Sequence, residues 1–264
     1  MRRDITSLGT TLLMTVAAVQ AAHAQQDTDD RYYTSFSAGL SLLGDSTNDG
    51  TFNGAFTTGA GTTIPAGTEL PDGTAVGWDT EFSTGFALNG AFGRYFGPLR
   101  GEIELAYQAN NVDTHTGVFA ADIDLSDEDA GVLVTGADNL GVSVADLVAD
   151  GQGDLSTVFI MANGYYDFKN DSAFTPYVGL GIGLGFVDVD YSPSDTTIIQ
   201  DSATKFAYQL MAGATYDLNQ STGLYLGYRF RGTSSVGVEA DLFSADFEIE
   251  NTASILEAGV RFAF

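Results

Sequence analysis

From residue 31 onward, bulky apolar residues alternate with small or polar ones in eight separate stretches. The sharpest is PYVGLGIGLGF, residues 176–186. Its even positions are Pro176, Val178, Leu180, Ile182, Leu184 and Phe186, and its odd positions are Tyr177 and then Gly179, Gly181, Gly183 and Gly185. A period of two puts all the bulk on one face of a strand and leaves the other nearly bare backbone. Two other readings fail. A dinucleotide-binding loop needs a third glycine where Leu184 or Phe186 stands, and a helix to follow. The GxxxG spacing of a membrane helix is present, but the apolar run 174–187 is too short to cross as a helix, and Pro176 fits one poorly.

The other stretches repeat the alternation. In 78–92, Trp78, Phe82, Phe86, Leu88 and Phe92 oppose Asp79, Glu81, Ser83 and Asn89. In 99–109, Leu99, Ile103, Leu105 and Tyr107 oppose Arg100, Glu102, Glu104 and Gln108. In 204–218, Phe206, Tyr208, Leu210 and Tyr216 oppose Lys205, Gln209 and Asp217. In 224–231, Leu224, Leu226, Tyr228 and Phe230 oppose Tyr225, Arg229 and Arg231. In 255–264, Leu256, Val260, Phe262 and Phe264 oppose Glu257 and Arg261. Segments 31–43 and 156–168 follow the same rule less cleanly, with Val158, Ile160, Ala162, Tyr166 and Phe168 on the apolar side of the second.

Short links at 94–98, 169–173 and 219–223 alternate with long ones at 44–77, 110–154, 188–202 and 232–248. Eight strands so connected predict an all-β fold, an eight-stranded antiparallel transmembrane β-barrel with short periplasmic turns and long extracellular loops. An even strand number returns both termini to the periplasm. Ten strands stay open if parts of 51–57 or 131–135 pair above the membrane. Aromatic residues beside the short turns and the C-terminus (Phe92, Tyr95, Phe96, Tyr165, Tyr166, Phe168, Phe174, Tyr177, Tyr216, Phe262 and Phe264) are expected to form a periplasmic girdle.

Composition narrows the setting. Residues 1–24 combine a basic start, the apolar core 11–19 and Ala22-His23-Ala24, which reads as a cleaved secretory signal peptide. Residues 25–30 then form a short N-terminal segment and 31–264 the barrel. Cysteine is absent, which excludes disulfides and thiolate metal sites, and His115 is the one histidine after the signal. Without Arg2, Arg3 and Asp4 the 10 basic and 35 acidic residues become 8 and 34, which argues against nucleic acid as a partner.

NGYYDF, TPYVGLGIGLGF, FAYQLMAGATYDL and LYLGYRF resemble the later strands of a known superfamily of outer-membrane barrels. It contains the transmembrane domain of outer membrane protein A, the opacity proteins and the alphaproteobacterial surface antigens. The resemblance implies the outer membrane of a Gram-negative cell. It also implies a structural or surface-interaction role and a terminal Phe264 that resembles the signal read by the barrel-assembly machinery. Outer-membrane lipid, lipopolysaccharide and periplasmic chaperones are the expected partners, with the chain a monomer and no cofactor. A narrow channel or small-molecule carrier is the alternative. An adhesin or a lipid A-modifying enzyme is the remaining reading, the enzyme having only His115 beside Asp113, Thr114 and Thr116 to offer.

Charges on the non-lipid faces are expected to pair within a narrow lumen: Glu81, Glu102, Glu104, Lys205, Arg229, Arg231, Glu257 and Arg261. In particular, Glu102 or Glu104 should approach Arg229 or Arg261. The long links hold 4, 10, 4 and 4 acidic residues and no Lys or Arg, so the external face should be purely anionic. A divalent-cation site is conceivable at Asp122, Asp124, Asp127, Glu128 and Asp129. The segment nevertheless departs from the EF-hand pattern, with Asp127 at the glycine position and Leu133 at the final glutamate.

Overall fold

A computed structural model describes residues 30–149, 151–195, 197–240 and 244–264. Residues 1–29, which include the expected signal peptide and most of the short segment after it, lie outside the described residues. In chain order the strands are β1 Tyr32–Leu43, β2 Ser46–Phe52, β3 Phe56–Thr57, β4 Glu69–Leu70, β5 Ala75–Phe82, β6 Gly85–Phe96, β7 Leu99–Ala120 and β8 Ile123–Asp124. They continue as β9 Gly153–Asp167, β10 Phe174–Tyr191, β11 Ile199–Asp217, β12 Thr222–Thr233, β13 Val236–Glu239, β14 Ala245–Ile249 and β15 Thr252–Ala263. One short helix, α1 Val144–Val148, is capped by the Ser143 hydroxyl accepting from the Asp146 amide.

Eight of these strands close on themselves. Each of β1, β6, β7, β9, β10, β11, β12 and β15 pairs antiparallel with the next, and β15 returns to β1. The register fixes the tilt. Paired residues lead from Thr34 through Phe92, Ile103, Ala162, Ile182, Tyr208 and Gly232 to Thr252. Thr252 accepts the amide of Gly44. The circuit therefore comes back to the first strand ten residues higher. With strands about 4.8 Å apart and a rise of about 3.4 Å per residue, that stagger tilts the strands by about 40°. Mutual bonds between the backbones of Tyr32 and Phe264 seal the seam.

The alternation sorts the wall into two faces. Outward residues stay exposed although they are apolar: Leu40 59%, Ile103 61%, Leu180 62%, Leu226 69% and Leu256 56%. A continuous apolar belt of this kind is far larger than the few hundred Å² that water-soluble monomers leave bare, and lipid satisfies it. On the inward face of β10 the glycines make room for the neighbouring strand. A Cβ at Gly179 would stand 2.4 Å from the Tyr165 ring, and one at Gly181 2.1 Å from the Asn163 amide oxygen.

Three two-to-six-residue links, 97–98, 168–173 and 218–221, join the ring at one end. At the other end the chain builds a second layer of structure. β7 outruns β6, and β5 takes over its edge from Val112 to Ala120. From there the order runs β7, β5, β2, β14, β13. The ring itself keeps eight strands. Part of the 51–57 region does pair above it, whereas Ala130–Leu133 forms a 3-10 turn instead of a strand.

Two sequence expectations change here. Segment 78–92 is two strands: β5 carries Val76, Trp78 and Thr80 inward, while β6 carries Ala87 and Asn89 inward. The phase slips at Ser83–Thr84, so Trp78 faces a core and not lipid, and Glu81 is exposed on the upper sheet. The girdle also loses members. Tyr165 and Tyr177 are buried inside the ring, and Tyr95 packs on Tyr33 with ring centroids 5.0 Å apart. Phe92, Phe96, Tyr166, Phe168, Phe174 and Tyr216 remain outside.

Candidate functional site: a charged lumen beneath an apolar core

β7 gives the vertical order of the interior. From the short-turn end its inward residues read Arg100, Glu102, Glu104, Ala106, Gln108 and Asn110, all buried. Around Arg100 stands a cage of tyrosines. Its guanidinium carbon lies 4.2 Å from the Tyr165 ring centre and 5.3 Å from that of Tyr177, and its Nε bonds Asp167 at 2.8 Å. Arg261 sits between Tyr33 and Tyr225, at 5.2 and 5.3 Å, and donates to the Thr215 hydroxyl at 3.2 Å. The ring quadrupoles attract these cations where water cannot.

The next layer is ionic. Arg229 Nη1 donates to Glu104 at 2.8 Å and Nη2 to Glu257 at 3.0 Å. Arg231 Nη2 donates to Glu104 at 2.9 Å, and its Nε to Gln209 at 3.0 Å. Glu102 is held differently. It accepts from the Tyr33 and Tyr165 hydroxyls, each at 2.7 Å, and from Asn163 at 3.0 Å. Four buried carboxylates, Glu102, Glu104, Asp167 and Glu257, face four buried guanidiniums, Arg100, Arg229, Arg231 and Arg261, so the ring interior is electrically neutral. Buried charge is tolerable when it is paired and hydrogen-bonded in this way.

Of the residues named from sequence, six of the eight meet in this lumen. Glu81 is outside on β5, and Lys205 is half-buried higher on β11, apart from the network. Arg100, Asp167, Asn163, Gln209 and the inward tyrosines complete it. Extending the odd-numbered phase of β9 from Asn163 to Asp167 would have found three of them. The layer above is apolar, with Phe159, Met161, Ala106 and Ala207 packed together. The void among Glu102, Glu104, Arg229 and Glu257 measures about 10 Å³, the minimum for a single water.

Above the lumen lies a separate hydrophobic core. Trp78 packs on Phe247 with centroids 4.6 Å apart, and Val76, Phe52, Leu125, Val132 and Ile249 are buried with them. His115 belongs to this core, 3% exposed. A register break opposite Glu81–Phe82 turns it inward while leaving Asp113 outside. The Thr80 hydroxyl accepts from Trp78 Nε1 at 3.1 Å and Asn48 Nδ2 at 2.7 Å, and lies 2.9 Å from His115 Nδ1. With both lone pairs engaged, Thr80 donates its hydrogen to Nδ1. The imidazole is therefore neutral, with its own proton on Nε2. Buried beside Trp78 and bonded to Thr80, it is placed as a core histidine is.

The acidic stretch 122–131 serves the backbone. Asp129 caps the 3-10 turn: its carboxylate accepts from the amides of Gly131 at 2.9 Å, Leu140 at 2.7 Å and Gly141 at 2.8 Å. These amides, Gly131 foremost, hold its pKa below the ordinary 3.8. Glu128 accepts from the Thr63 hydroxyl and from the amides of Thr63 and Ile64. Burial works to raise its pKa, yet those bonds together keep it below the ordinary 4.5. Asp124 accepts from the Ser126 amide at 2.8 Å, and Asp122 and Asp127 are exposed. Among the described residues, no three acidic or histidine side chains converge in a way that could hold a metal ion.

A family model described as surface antigen matches residues 66–264. Outer membrane protein PagN of Salmonella typhimurium is 31% identical over 100 residues, which is 35% of this chain and 40% of that protein. An uncharacterized protein of Brucella abortus is 39% identical over 79 residues, 26% of this chain and 28% of that one. The chain thus aligns with less than half the length of either curated relative. Among solved structures, Neisserial surface protein A superposes with a TM-score of 0.44 at 16% identity, covering 89% of this chain and 97% of the other. OprG from Pseudomonas aeruginosa gives 0.43 at 12%, covering 87% and 95%. With the family model spanning well over half of the sequence, the chain belongs to the surface antigen family and is an outer-membrane β-barrel protein.

Proposed function

We propose that this protein is a surface-interaction protein, in which the eight-stranded ring is an anchor and the assembly built on β2, β5, β13 and β14 is the working part. One observation carries the reading: the lumen is filled by a neutral, hydrogen-bonded network, whereas the external sheet has its own hydrophobic core. A transport barrel needs the reverse, an open interior and incidental loops. In this reading the short turns and both termini face the periplasm. The long acidic segments face outward and repel other anionic surfaces. Phe264, whose backbone closes the seam with Tyr32, is the assembly signal. Outer-membrane lipid and lipopolysaccharide surround the belt, and a catalytic role has no support from His115. The test is single-channel recording of the refolded protein in planar bilayers. Electrical silence is the expected result, and stable conductance steps would favour the narrow-channel reading instead.

A further inference from the structure

The external core is not solid. Between the β3–β4 hairpin, β5, the upper part of β7 and the end of α1 at Val148 lies a cavity of about 140 Å³. Phe52, Phe56, Trp78, Leu125, Val132 and Tyr191 line it, and nearly all of its wall is carbon. Protein interiors rarely contain voids larger than a water molecule, and the void among the ionic side chains of the lumen is only about 10 Å³. The hollow is therefore a local feature of the external core and not a general looseness.

Its chemistry selects the occupant. A buried water needs two to four polar partners, and an apolar cavity on the order of 150 Å³ stays dry and accepts a benzene-sized molecule. Here Trp78 Nε1 and His115 Nδ1 are already engaged by Thr80. The exception is Tyr191, whose fully buried hydroxyl lies near Thr80 without a well-formed hydrogen bond. Access exists on the rim. Ile123 is 54% exposed there, beside the half-buried Ile64 and Leu70 of the hairpin region.

We propose that this cavity is a binding site for a compact monoaromatic molecule, with the Tyr191 hydroxyl able to meet a single polar substituent on it. The proposal does not depend on the surface-interaction reading, because it concerns the interior of the external core alone.

The chain has one tryptophan, and Trp78 is in the cavity wall, so the protein reports on its own site. The full chain would be refolded into phospholipid nanodiscs and titrated with toluene. Trp78 fluorescence and its indole N–H resonance would be followed, with nuclear Overhauser effects sought between the toluene methyl and the indole. Saturable changes with a cross-peak are expected. Ala120→Leu and Val132→Phe, which fill the space, should abolish saturation in folded protein. In Tyr191→Phe, the preference for phenol over toluene should fall several-fold, up to about tenfold. A linear response without a cross-peak, or one unchanged in the filled variants, means partition into lipid and overturns the proposal. The cross-peak is read on the native chain, so it decides the matter even if a variant fails to fold.

Discussion

Arg229 and Arg231 converge on one oxygen of Glu104, Oε1, at 2.8 and 2.9 Å from adjacent inward positions of β12. One carboxylate on β7 thereby ties down two cations from the opposite side of the ring. Removing it leaves both guanidiniums buried with Glu257 as their nearest compensation. Glu104→Ala is expected to cost about 3–5 kcal/mol, the typical penalty for stranding buried charge. The measurement is equilibrium urea unfolding in lipid, with Glu104→Gln giving a smaller loss because it keeps an acceptor. A loss under about 1 kcal/mol for the alanine variant would mean that the pairs are not what holds the lumen.

The glycine face of β10 carries a steric prediction. Gly181→Val places a branched side chain against Asn163 and Gln209 within a wall already in contact, and Gly183→Val meets the Ile160 carbonyl. Overpacking of this kind costs about 1–3 kcal/mol where neighbours can move and more where the obstacle is backbone. Gly183→Val should therefore fold less well than Gly181→Val. The folded fraction by gel mobility of unheated samples ranks the two.

Asp129 and Glu128 predict an acid-sensitive external segment. Both pKa values are lowered in the folded state. The stability they contribute is thus fully present above the ordinary values of 3.8 and 4.5, and is lost as pH falls through the lower folded values. Hydrogen exchange at Gly131, Leu140 and Gly141 should accelerate over that acid range in the wild type. Asp129→Asn should exchange fast already at neutral pH. The same engagement predicts that millimolar calcium leaves these amides unchanged, and a saturable calcium shift there would show the carboxylates free to turn outward.

Thr80→Val tests the histidine arrangement. It removes the acceptor for Trp78 and Asn48 together with the donor to His115 Nδ1. Leaving buried polar groups without partners costs about 1–3 kcal/mol. The ¹⁵N shifts of His115 should move from a clean Nε2–H pattern toward a tautomer mixture, whereas Thr80→Ser should preserve it.

The ring was legible because lipid favours apolar outward side chains, as at Leu40, Ile103, Leu180, Leu226 and Leu256, so period two stands out along most of the wall. Link lengths then gave the connectivity. The rule lapses where lipid ends. Trp78 and Phe82 look like membrane-facing residues because a two-sided external sheet also alternates, and the one-residue slip at Ser83–Thr84 leaves no mark in the pattern. The tyrosines failed for a related reason. Tyr165 and Tyr177 lie beside the short turns, where lipid-facing aromatics gather, but their phase is the inward one. Arg261 called for a carboxylate on charge alone and found the faces of Tyr33 and Tyr225. Phase was the better guide there, and proximity to a turn the worse one.

The slip at Ser83–Thr84 also makes the external assembly a replaceable cargo. The wall below needs only that the chain re-enter at Gly85 in the phase that turns Ala87 and Asn89 inward. What lies between Leu43 and Gly85 can follow its own alternation, since the one-residue slip at Ser83–Thr84 is enough to reset the frame. A different insert, of another length and another pattern, could be joined at the same place without disturbing a single pair in the ring. The ring thus fixes only the phase in which the chain returns, and leaves the pattern between Leu43 and Gly85 to the sheet above it.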